Sequence, residues 1–381
     1  MRTASALGAL ATVLAVLAGC SGGAGGEAAE REAPPEAKLT ASVTKNAKDV
    51  PVTEPITLKA AKGKLTDAKL TNEEGKPVDG EFSKDKKTWT SSEPLGYGKT
   101  YNYTATAAGS DRKSVPMRGS FSTVAPSSVV RATLNPTDHQ TVGVAMPISV
   151  KFEAPVQDKA AAERALKVET SVPVEGSWAW LNDQQVDWRP KEYWPAHTKV
   201  NVSANLYGVH YGGGAYGKTD VTTEFEIGRE QIVKIHTPDH RMNVYRDGQQ
   251  VASYPASNGK DADPNLNTPN GTFIVMSKEE VGNFSNPQYG YTDVMKKWAV
   301  RFSNHGEFIH ENEENAANIG VANTSHGCVN LRESDANEYF QGALIGDPVE
   351  VTGSQATMEA KYDVYDWLIP WSQWQSMSEL G

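Results

Sequence analysis

Between residues 37 and 227 the chain alternates short runs of apolar and polar positions with turn residues. Two of these runs, 55–61 (PITLKAA) and 146–156 (MPISVKFEAPV), each carry a proline at their start. Alternation with a period of two places successive side chains on opposite faces of a half-buried strand. The pattern therefore predicts a succession of short β-strands.

The order of these runs occurs twice, at a spacing of roughly 100 residues. In each copy a tryptophan, Trp89 or Trp188, precedes a proline-containing turn, and a Lys-Thr or Thr-Lys pair then opens an alternating strand. A repeat of this kind predicts two tandem immunoglobulin-like β-sandwiches, neither of which holds a disulfide. We expect both tryptophans in the cores, with ligand stacking as the alternative.

A third region begins near Gln231 and keeps the β pattern, with an Asp247-Gly248 turn between two of its runs. The only good helical candidate here is 334–344 (SDANEYFQGAL), for which Ser334 is the predicted N-cap. The predicted fold class is therefore mainly β: two immunoglobulin-like sandwiches, then a β-rich domain with one short helix and a C-terminal tail.

Two further segments stand out by composition. The glycine-rich segment 207–217 (YGVHYGGGAYG) lacks the Lys-Ser/Thr of a phosphate-binding loop, so we interpret it as a flexible hairpin loop near the next domain. The tail carries three tryptophans that we expect to pack back onto a domain surface, namely Trp367, Trp371 and Trp374.

The N-terminus carries an export signal. One arginine is followed by an apolar run from Ala4 to Ala18, too short to be a permanent membrane span. The residues LAGC at 17–20 resemble the bacterial lipobox, which implies cleavage before Cys20 and a lipid anchor on its sulfur. A plain secretory signal is the alternative. The tract after Cys20 is rich in Gly, Ala, Glu and Pro and is interpreted as a flexible tether.

Composition narrows the class of protein without identifying it. The 381 residues predict two or three domains, and 38% hydrophobic content with nine tryptophans is enough for folded cores. The net charge of −10 argues against a nucleic-acid partner, because phosphate groups require a basic face.

The second of the two cysteines lies in NTSHGCVNL, residues 323–331. With Cys20 lipidated, Cys328 has no intramolecular disulfide partner, and a lone thiol in an exported protein invites a functional explanation. An inert buried cysteine is the alternative, but the surrounding Ser-His-Gly-Cys run is polar rather than core-like. We therefore interpret Cys328 as a nucleophile.

A nucleophilic thiol needs a base, and His310 is the best placed of the eight histidines. It ends the run GEFIH, in which Phe308 and His310 share one face of a strand. A loop of fourteen residues then leads to the SHGC segment. Gly327 permits a tight turn with accessible backbone N–H groups, as an oxyanion hole requires.

The pattern H-x14-S-H-G-C-V-N, from His310 to Asn330, resembles the signature of the L,D-transpeptidase catalytic domain, which has the YkuD-type fold. TPNGTFIV at 268–275 and DWLIPWSQW in the tail extend the match. The two immunoglobulin-like modules and the lipobox complete the layout of the actinobacterial, mycobacterial-type enzymes. The resemblance covers essentially the whole mature chain.

This resemblance implies a role for each matching residue. Cys328 is the nucleophile, His310 is the general base, and the backbone carbonyl of Glu311 orients the imidazole, although several relatives have Ser or Gly at that position. The oxyanion hole is framed by His326, Gly327 and the Cys328 amide. Ser325 and Asn330 support the loop. The expected substrate-binding residues are these two together with Tyr291 and Thr292 of a lid.

The implied reaction releases D-Ala from a peptidoglycan tetrapeptide donor and joins the donor to an acceptor stem by a 3→3 cross-link, without a cofactor. Acylation by carbapenems and attachment to the outer face of the membrane through Cys20 are also implied. Three alternatives stay open: an L,D-carboxypeptidase, a zinc site at His310, His326 and Cys328, and a non-catalytic wall-binding lipoprotein.

The expected division of the chain is a signal peptide at 1–20, a linker at 21–38, immunoglobulin-like domains at 39–125 and 126–229, a catalytic domain at 230–353 and a packed tail at 354–381.

Overall fold

The computed structural model describes residues 37–110, 112–287, 290–360 and 365–381. This part of the chain is mainly β, which confirms the fold class expected from the sequence. No helix within it is long and apolar enough to cross a membrane. Cys20 and the predicted signal segment lie outside the described residues, and the domain boundaries stay predictions.

The first module is a sandwich of two four-stranded sheets. Its strands are β1 (Lys38–Ala41), β2 (Ala47–Val50), β3 (Thr57–Ala61), β4 (Gly63–Asn72), β5 (Gly80–Phe82), β6 (Thr88–Ser91), β7 (Thr100–Gly109) and β8 (Ser114–Thr123). The sheets have the orders β1-β3-β6-β5 and β2-β8-β7-β4. Alternate side chains, such as Leu58 and Phe121, bury the core between them.

The second module repeats this architecture. Its elements are β9 (Ser128–Val130), β10 (Ala132–Asn135), β11 (Thr141–Val142), β12 (Ile148–Phe152), α1 (Lys159–Arg164), β13 (Leu166–Thr170), β14 (Gly176–Asn182), β15 (Gln185–Pro190), β16 (Lys199–Ala204), β17 (Ala215–Gly217) and β18 (Val221–Ile227). Its sheets have the orders β10-β12-β15-β14 and β11-β18-β16-β13, and β9 pairs with β17. Helix α1 begins where the Asp158 side chain accepts from the Ala161 amide at 2.9 Å.

The two repeated tryptophans are buried in equivalent positions. Trp89 lies in β6 and Trp188 in β15, and each ring covers a glycine on the neighbouring strand, Gly80 or Gly176. A Cβ atom would lie 2.2 Å from the Trp89 ring at Gly80 and 2.0 Å from the Trp188 ring at Gly176. Each sandwich therefore needs a glycine where its tryptophan crosses the sheet.

The third domain contains two sheets that pack with one helix around a shared core. Its elements are β19 (Gln231–His236), β20 (Arg241–Arg246), β21 (Gln249–Pro255), β22 (Gly271–Ile274), β23 (Ser277–Asn286), β24 (Tyr291–Arg301), β25 (Phe308–Glu311), β26 (Val329–Leu331), α2 (Glu333–Gly342) and β27 (Pro348–Thr352), and the tail adds α3 (Trp371–Ser376). The sheet orders are β21-β20-β19-β27-β22 and β23-β24-β25-β26. Single 3-10 turns lie at Thr237–Asp239, Pro264–Leu266, Glu313–Asn315 and Asp366–Leu368.

The prediction of Ser334 as the N-cap of the helix is wrong. Helix α2 begins at Glu333, and Ser334 lies within its first turn, where its hydroxyl contacts Asp335. The first amide, that of Glu333, donates to the carboxylate of Glu313 at 2.7 Å. A side chain distant in sequence therefore satisfies this helix end, which local sequence rules do not detect.

The glycine-rich loop contacts the first module, not the catalytic domain that we expected. The Tyr207 hydroxyl donates to the Leu95 carbonyl at 2.6 Å, and the Gly208 amide donates to the Tyr97 hydroxyl at 2.7 Å. Positive φ angles at three consecutive glycines, Gly212 to Gly214, allow the loop to turn back on itself.

The tail packs on the second module around one arginine. The Arg189 guanidinium lies 4.6, 5.2 and 4.8 Å from the ring centroids of Trp367, Trp371 and Trp374, respectively. Trp374 is completely buried, and its indole N–H donates to the Ser177 carbonyl at 2.9 Å. These three tryptophans and Arg189 are called the clasp below.

Candidate active site

Two neighbouring parallel strands bring His310 and Cys328 to one face of their sheet. In the β25–β26 pair, Ile309 lies opposite Val329 and His310 lies opposite Asn330. Cys328 directly precedes β26, so it continues the row of Asn330 on the same face as His310. Both side chains line a cavity of about 330 Å³.

The imidazole of His310 is held in one tautomer by the backbone. Its Nδ1 donates to the carbonyl oxygen of Glu311 at 2.6 Å, which leaves Nε2 as the proton acceptor of the ring. His310 is 5% exposed, and the Phe284 ring packs 4.9 Å from the imidazole. Burial lowers the pKa of His310 to about 4, against the opposing effect of the Glu311 hydrogen bond. The imidazole is therefore neutral at neutral pH.

The thiol of Cys328 is also neutral. Burial raises its pKa to about 12, opposed by a hydrogen bond from the Phe308 amide and reinforced by the nearby Glu307 carboxylate. Its Sγ lies 3.9 Å from the carbonyl oxygen of Gly306. Burial of both groups therefore favours a neutral thiol and a neutral imidazole in one cavity over a thiolate–imidazolium pair.

The loop before Cys328 is fixed by short-range hydrogen bonds. The Ser325 hydroxyl donates to the Cys328 carbonyl at 2.6 Å and accepts from the Gly327 amide at 3.2 Å. Thr268 binds the Gly327 carbonyl at 2.8 Å. The Gly327 N–H that we assigned to an oxyanion hole is therefore engaged within the loop, whereas the roles of His326 and of the Cys328 amide stay predictions. Gly327 adopts φ +115°, a conformation that favours glycine.

The other predicted residues separate into two groups. Ser325, His326, Asn330 and Tyr291 line the cavity, and the Tyr291 and His326 rings lie 5.5 Å apart. Thr292, predicted as a lid contact, is exposed and does not line it. Asp293 has a positive φ of 53° and the β23–β24 pairing shifts register here, so regular alternation does not extend from Val294 back to Tyr291 and Thr292.

With this geometry in place, comparison with known proteins identifies the family. Residues 230–351 match the L,D-transpeptidase catalytic domain and residues 47–210 match the bacterial Ig domain. L,D-transpeptidase 5 of Mycobacterium tuberculosis is 44% identical over 358 residues, which cover 92% of this chain and 79% of the relative. The chain belongs to the L,D-transpeptidase family.

Two further L,D-transpeptidases support this assignment. L,D-transpeptidase 2 of M. tuberculosis is 37% identical over 349 residues, covering 89% of this chain and 84% of that one. A solved structure of an LD transpeptidase in complex with imipenem is 33% identical, has a TM-score of 0.50, and covers 60% of this chain and 99% of its own. The resemblance to the L,D-transpeptidase family that we stated from the sequence is confirmed, whereas the lipoprotein type stays a prediction.

Sequence reasoning missed the charged end of this L,D-transpeptidase cavity. Lys296, which is 8% exposed, donates from Nζ to Asn312 Oδ1 at 3.0 Å and to Glu314 Oε2 at 3.1 Å. The other residues that we did not predict are Phe284, Val294, Asn315 and Thr324. A signal for Lys296 existed: Val294 and Lys296 are two residues apart on β24, and both side chains line the cavity.

The geometry gives the zinc alternative no support. Among residues 37–110, 112–287, 290–360 and 365–381, no three His, Cys, Asp or Glu side chains are grouped so as to hold a metal ion.

Proposed function

We propose that this chain is a peptidoglycan L,D-transpeptidase that forms 3→3 cross-links through a thioester on Cys328. The observation that carries the proposal is the hydrogen bond from His310 Nδ1 to the Glu311 carbonyl, at 2.6 Å. This hydrogen bond leaves Nε2 free to act as a base, in the same cavity as the Cys328 thiol of the family motif.

Acylation begins when Cys328 Sγ attacks the carbonyl carbon of the third residue of a tetrapeptide stem. The thiol proton passes to His310 Nε2, and the carbonyl oxygen becomes an oxyanion that the Cys328 amide stabilises. The C–N bond to the terminal D-Ala then breaks, and His310 returns the proton to the departing nitrogen. The product is a thioester between Cys328 and the donor stem.

Deacylation uses the side-chain amine of the diamino acid on a second stem. The neutral amine attacks the thioester carbon and loses a proton to His310, the C–S bond breaks, and His310 reprotonates the sulfur. A new amide bond is formed and no cofactor is consumed. Water in place of the amine would give the L,D-carboxypeptidase reaction.

The neutral state of the resting pair determines when the nucleophile forms. With pKa values of about 12 for Cys328 and about 4 for His310, the thiolate is strongly disfavoured before substrate arrives. Proton transfer is therefore coupled to attack on the substrate carbonyl, where the oxyanion receives the charge.

Carbapenems are expected to acylate the same sulfur. Sγ would bond to the β-lactam carbonyl carbon, the lactam C–N bond would break, and the thiol proton would pass through His310 to the nitrogen. Support comes from the relative whose solved structure contains imipenem.

Lipid attachment of the chain to the outer face of the membrane also belongs to the proposal. It rests on the LAGC sequence at 17–20 and on the tether that follows. Intact mass of the protein from a bacterial membrane fraction would show a diacylglycerol thioether on Cys20, and a Cys20→Ala variant would be released into the soluble fraction.

The decisive experiment incubates the chain lacking residues 1–20 with a disaccharide-tetrapeptide and follows protein and product by intact mass. Wild type should give a thioester adduct and a dimer that has lost one D-Ala, and Cys328→Ala should give neither. A tripeptide without dimer would assign a carboxypeptidase. Absence of any adduct and any product would overturn the proposal and favour a wall-binding protein.

A further inference from the structure

The cavity of the reacting pair contains a buried ammonium group whose partner is exposed. The Lys296 side chain is 10% exposed, whereas the Glu314 side chain that pairs with it is 86% exposed. Glu314 lies in the 3-10 turn Glu313–Asn315 beside the cavity. An ammonium removed from water requires a partner, but a carboxylate at the surface does not.

The ion pair between Arg229 and Asp347 shows what a fixed, structural pair looks like. Arg229 binds Asp347 with two parallel contacts of 2.7 and 2.8 Å, and the Asp347 side chain is fully buried. Gln231 and the Leu344 amide also bind this carboxylate. Glu314 instead makes one contact with Lys296 and can leave for water at little cost.

Asn312, the neutral neighbour of Lys296, favours a substrate carboxylate in the position that Glu314 occupies. Asn312 accepts from Lys296 through Oδ1, so its side-chain NH2 is a donor on the same cavity wall. The positive charge of Lys296 contributes to the lowered pKa of His310, so the ammonium lies within electrostatic range of the base.

We propose that Lys296 and Asn312 form a carboxylate subsite for the peptide stem, in which a substrate carboxylate displaces Glu314 from the Lys296 ammonium. The inference rests on the proposed function for the identity of the stem, and it assigns Lys296 as a specificity-determining residue. The carboxylate comes either from the diamino acid of the stem or from its terminal D-Ala, and two amidated probes distinguish these sources.

The test compares three probes: the free-acid disaccharide-tetrapeptide, the same stem amidated on the diamino acid, and the stem ending in D-alaninamide. Wild type should show at least about tenfold lower kcat/KM for the probe that lacks the recognised carboxylate, a factor typical of one charge-assisted contact. Lys296→Met should remove this preference, so that the ratio of kcat/KM between the probes approaches one. Lys296→Arg should preserve it, since the cation is kept.

Glu314→Gln separates a subsite from a structural ion pair. If Glu314 occupies the position of the substrate carboxylate, Glu314→Gln should lower KM severalfold for the free-acid stem. KM for the probe that lacks the recognised carboxylate should not fall in the same way. If the pair only supports the fold, Glu314→Gln should weaken all three probes equally and lower the thermal midpoint. That result, or equal use of all three probes by wild type, would overturn the proposal.

Binding measured without catalysis keeps this test independent of the reaction. Titration calorimetry of the three probes against Cys328→Ala, and against the same variant with Lys296→Met, reports the acid-over-amide preference directly. A preference that depends on Lys296 supports the subsite even if wild type shows no turnover. Its absence would reject the subsite even if cross-linking occurs.

Discussion

The second module is joined to its two neighbours in different ways. Its contact with the first module centres on tyrosines: the Tyr97 ring lies 4.9 Å from Tyr207 and 5.8 Å from Tyr216. Its contact with the catalytic domain includes backbone hydrogen bonds from Gly143 to Ile345 at 2.7 Å and from Ala145 to Gly346 at 2.9 Å. The first junction is a side-chain contact, whereas the second is built into the backbone.

The hydrophobic cores show the same difference. The core of the second module includes Ile274 of the catalytic domain, and Met276, Ile345 and Trp367 pack against it. The core of the first module receives one residue from beyond it, the partly buried Tyr207. The second module and the catalytic domain therefore form one body, while the first module is a separately folded unit attached to it.

This body extends to the loop beside Cys328. Tyr365, which precedes the clasp, accepts a hydrogen bond from the His305 amide at 2.8 Å, and the next residue, Gly306, places its carbonyl 3.9 Å from Cys328 Sγ. The junctions thus predict that changes in the second module or the tail destabilise the body that contains Cys328, whereas changes at the first junction do not.

The largest effect is expected at the clasp. Trp374→Ala removes a completely buried indole from between Arg189 and Ser177, so the free energy of unfolding of the body should fall by about 3–5 kcal/mol. Denaturant unfolding measures this loss. The matched control, Trp371→Ala, replaces a half-buried tryptophan of the same cluster and should cost clearly less. Equal losses in the two variants would contradict the role of the clasp.

A smaller effect is expected where the backbones meet. A Cβ atom at Gly143 would lie 2.1 Å from the Asp347 nitrogen, so Gly143→Ala should lower the free energy of unfolding by about 1–3 kcal/mol. Gly96→Ala in the first module is the control, because its nearest neighbour is a flexible Lys99 carbon at 3.3 Å. An unchanged thermal midpoint for Gly143→Ala would show that the second junction can open.

At the first junction, Tyr207→Phe removes one hydrogen bond, to the Leu95 carbonyl. The docking of the two modules should weaken by about 1 kcal/mol, while the unfolding midpoint of the body should stay unchanged. Differential scanning calorimetry should resolve separate transitions for the first module and the body, and small-angle scattering should show a wider spread of shapes for the variant. A single transition that moves as a whole would contradict the comparison.

The sequence predicted those parts of the fold that depend on local pattern. Alternation and the repeated tryptophans were sufficient for two sandwiches, since each tryptophan is buried beside its glycine, Gly80 or Gly176. The direction of the 207–217 loop and the Glu313 cap of α2 were not predictable, because both depend on contacts with residues distant in sequence.

The candidate site shows the same limit. The family motif was sufficient to select His310 and Cys328, which the structure places in one cavity. It could not show that the Gly327 amide binds Ser325, or that Lys296 enters the cavity from β24. Spacing along the sequence is enough to find the motif residues. Whether a lysine on an alternating strand faces a cavity or the solvent, however, depends on the sheet in which the strand lies.

The smallest effect is expected for acylation of Cys328 between pH 5.5 and 7.5. A pKa of about 4 keeps His310 neutral over this range, and a pKa of about 12 keeps the thiol protonated, so the rate should change by less than about twofold. A histidine of ordinary pKa would lose about tenfold in activity at pH 5.5, because most of the base would be protonated.

Stopped-flow or intact-mass measurement of carbapenem acylation isolates this step from the protonation of an acceptor amine. The profile should fall only as pH decreases through about 4, where the base is lost. It should be the same in the chain lacking residues 1–20 and in a chain that also lacks the first module, because the groups that set the pKa of His310 all lie in the catalytic domain. If removal of the first module changed the pH dependence of the acylation rate, this module would influence the site. The proposed difference between the two junctions would then be wrong.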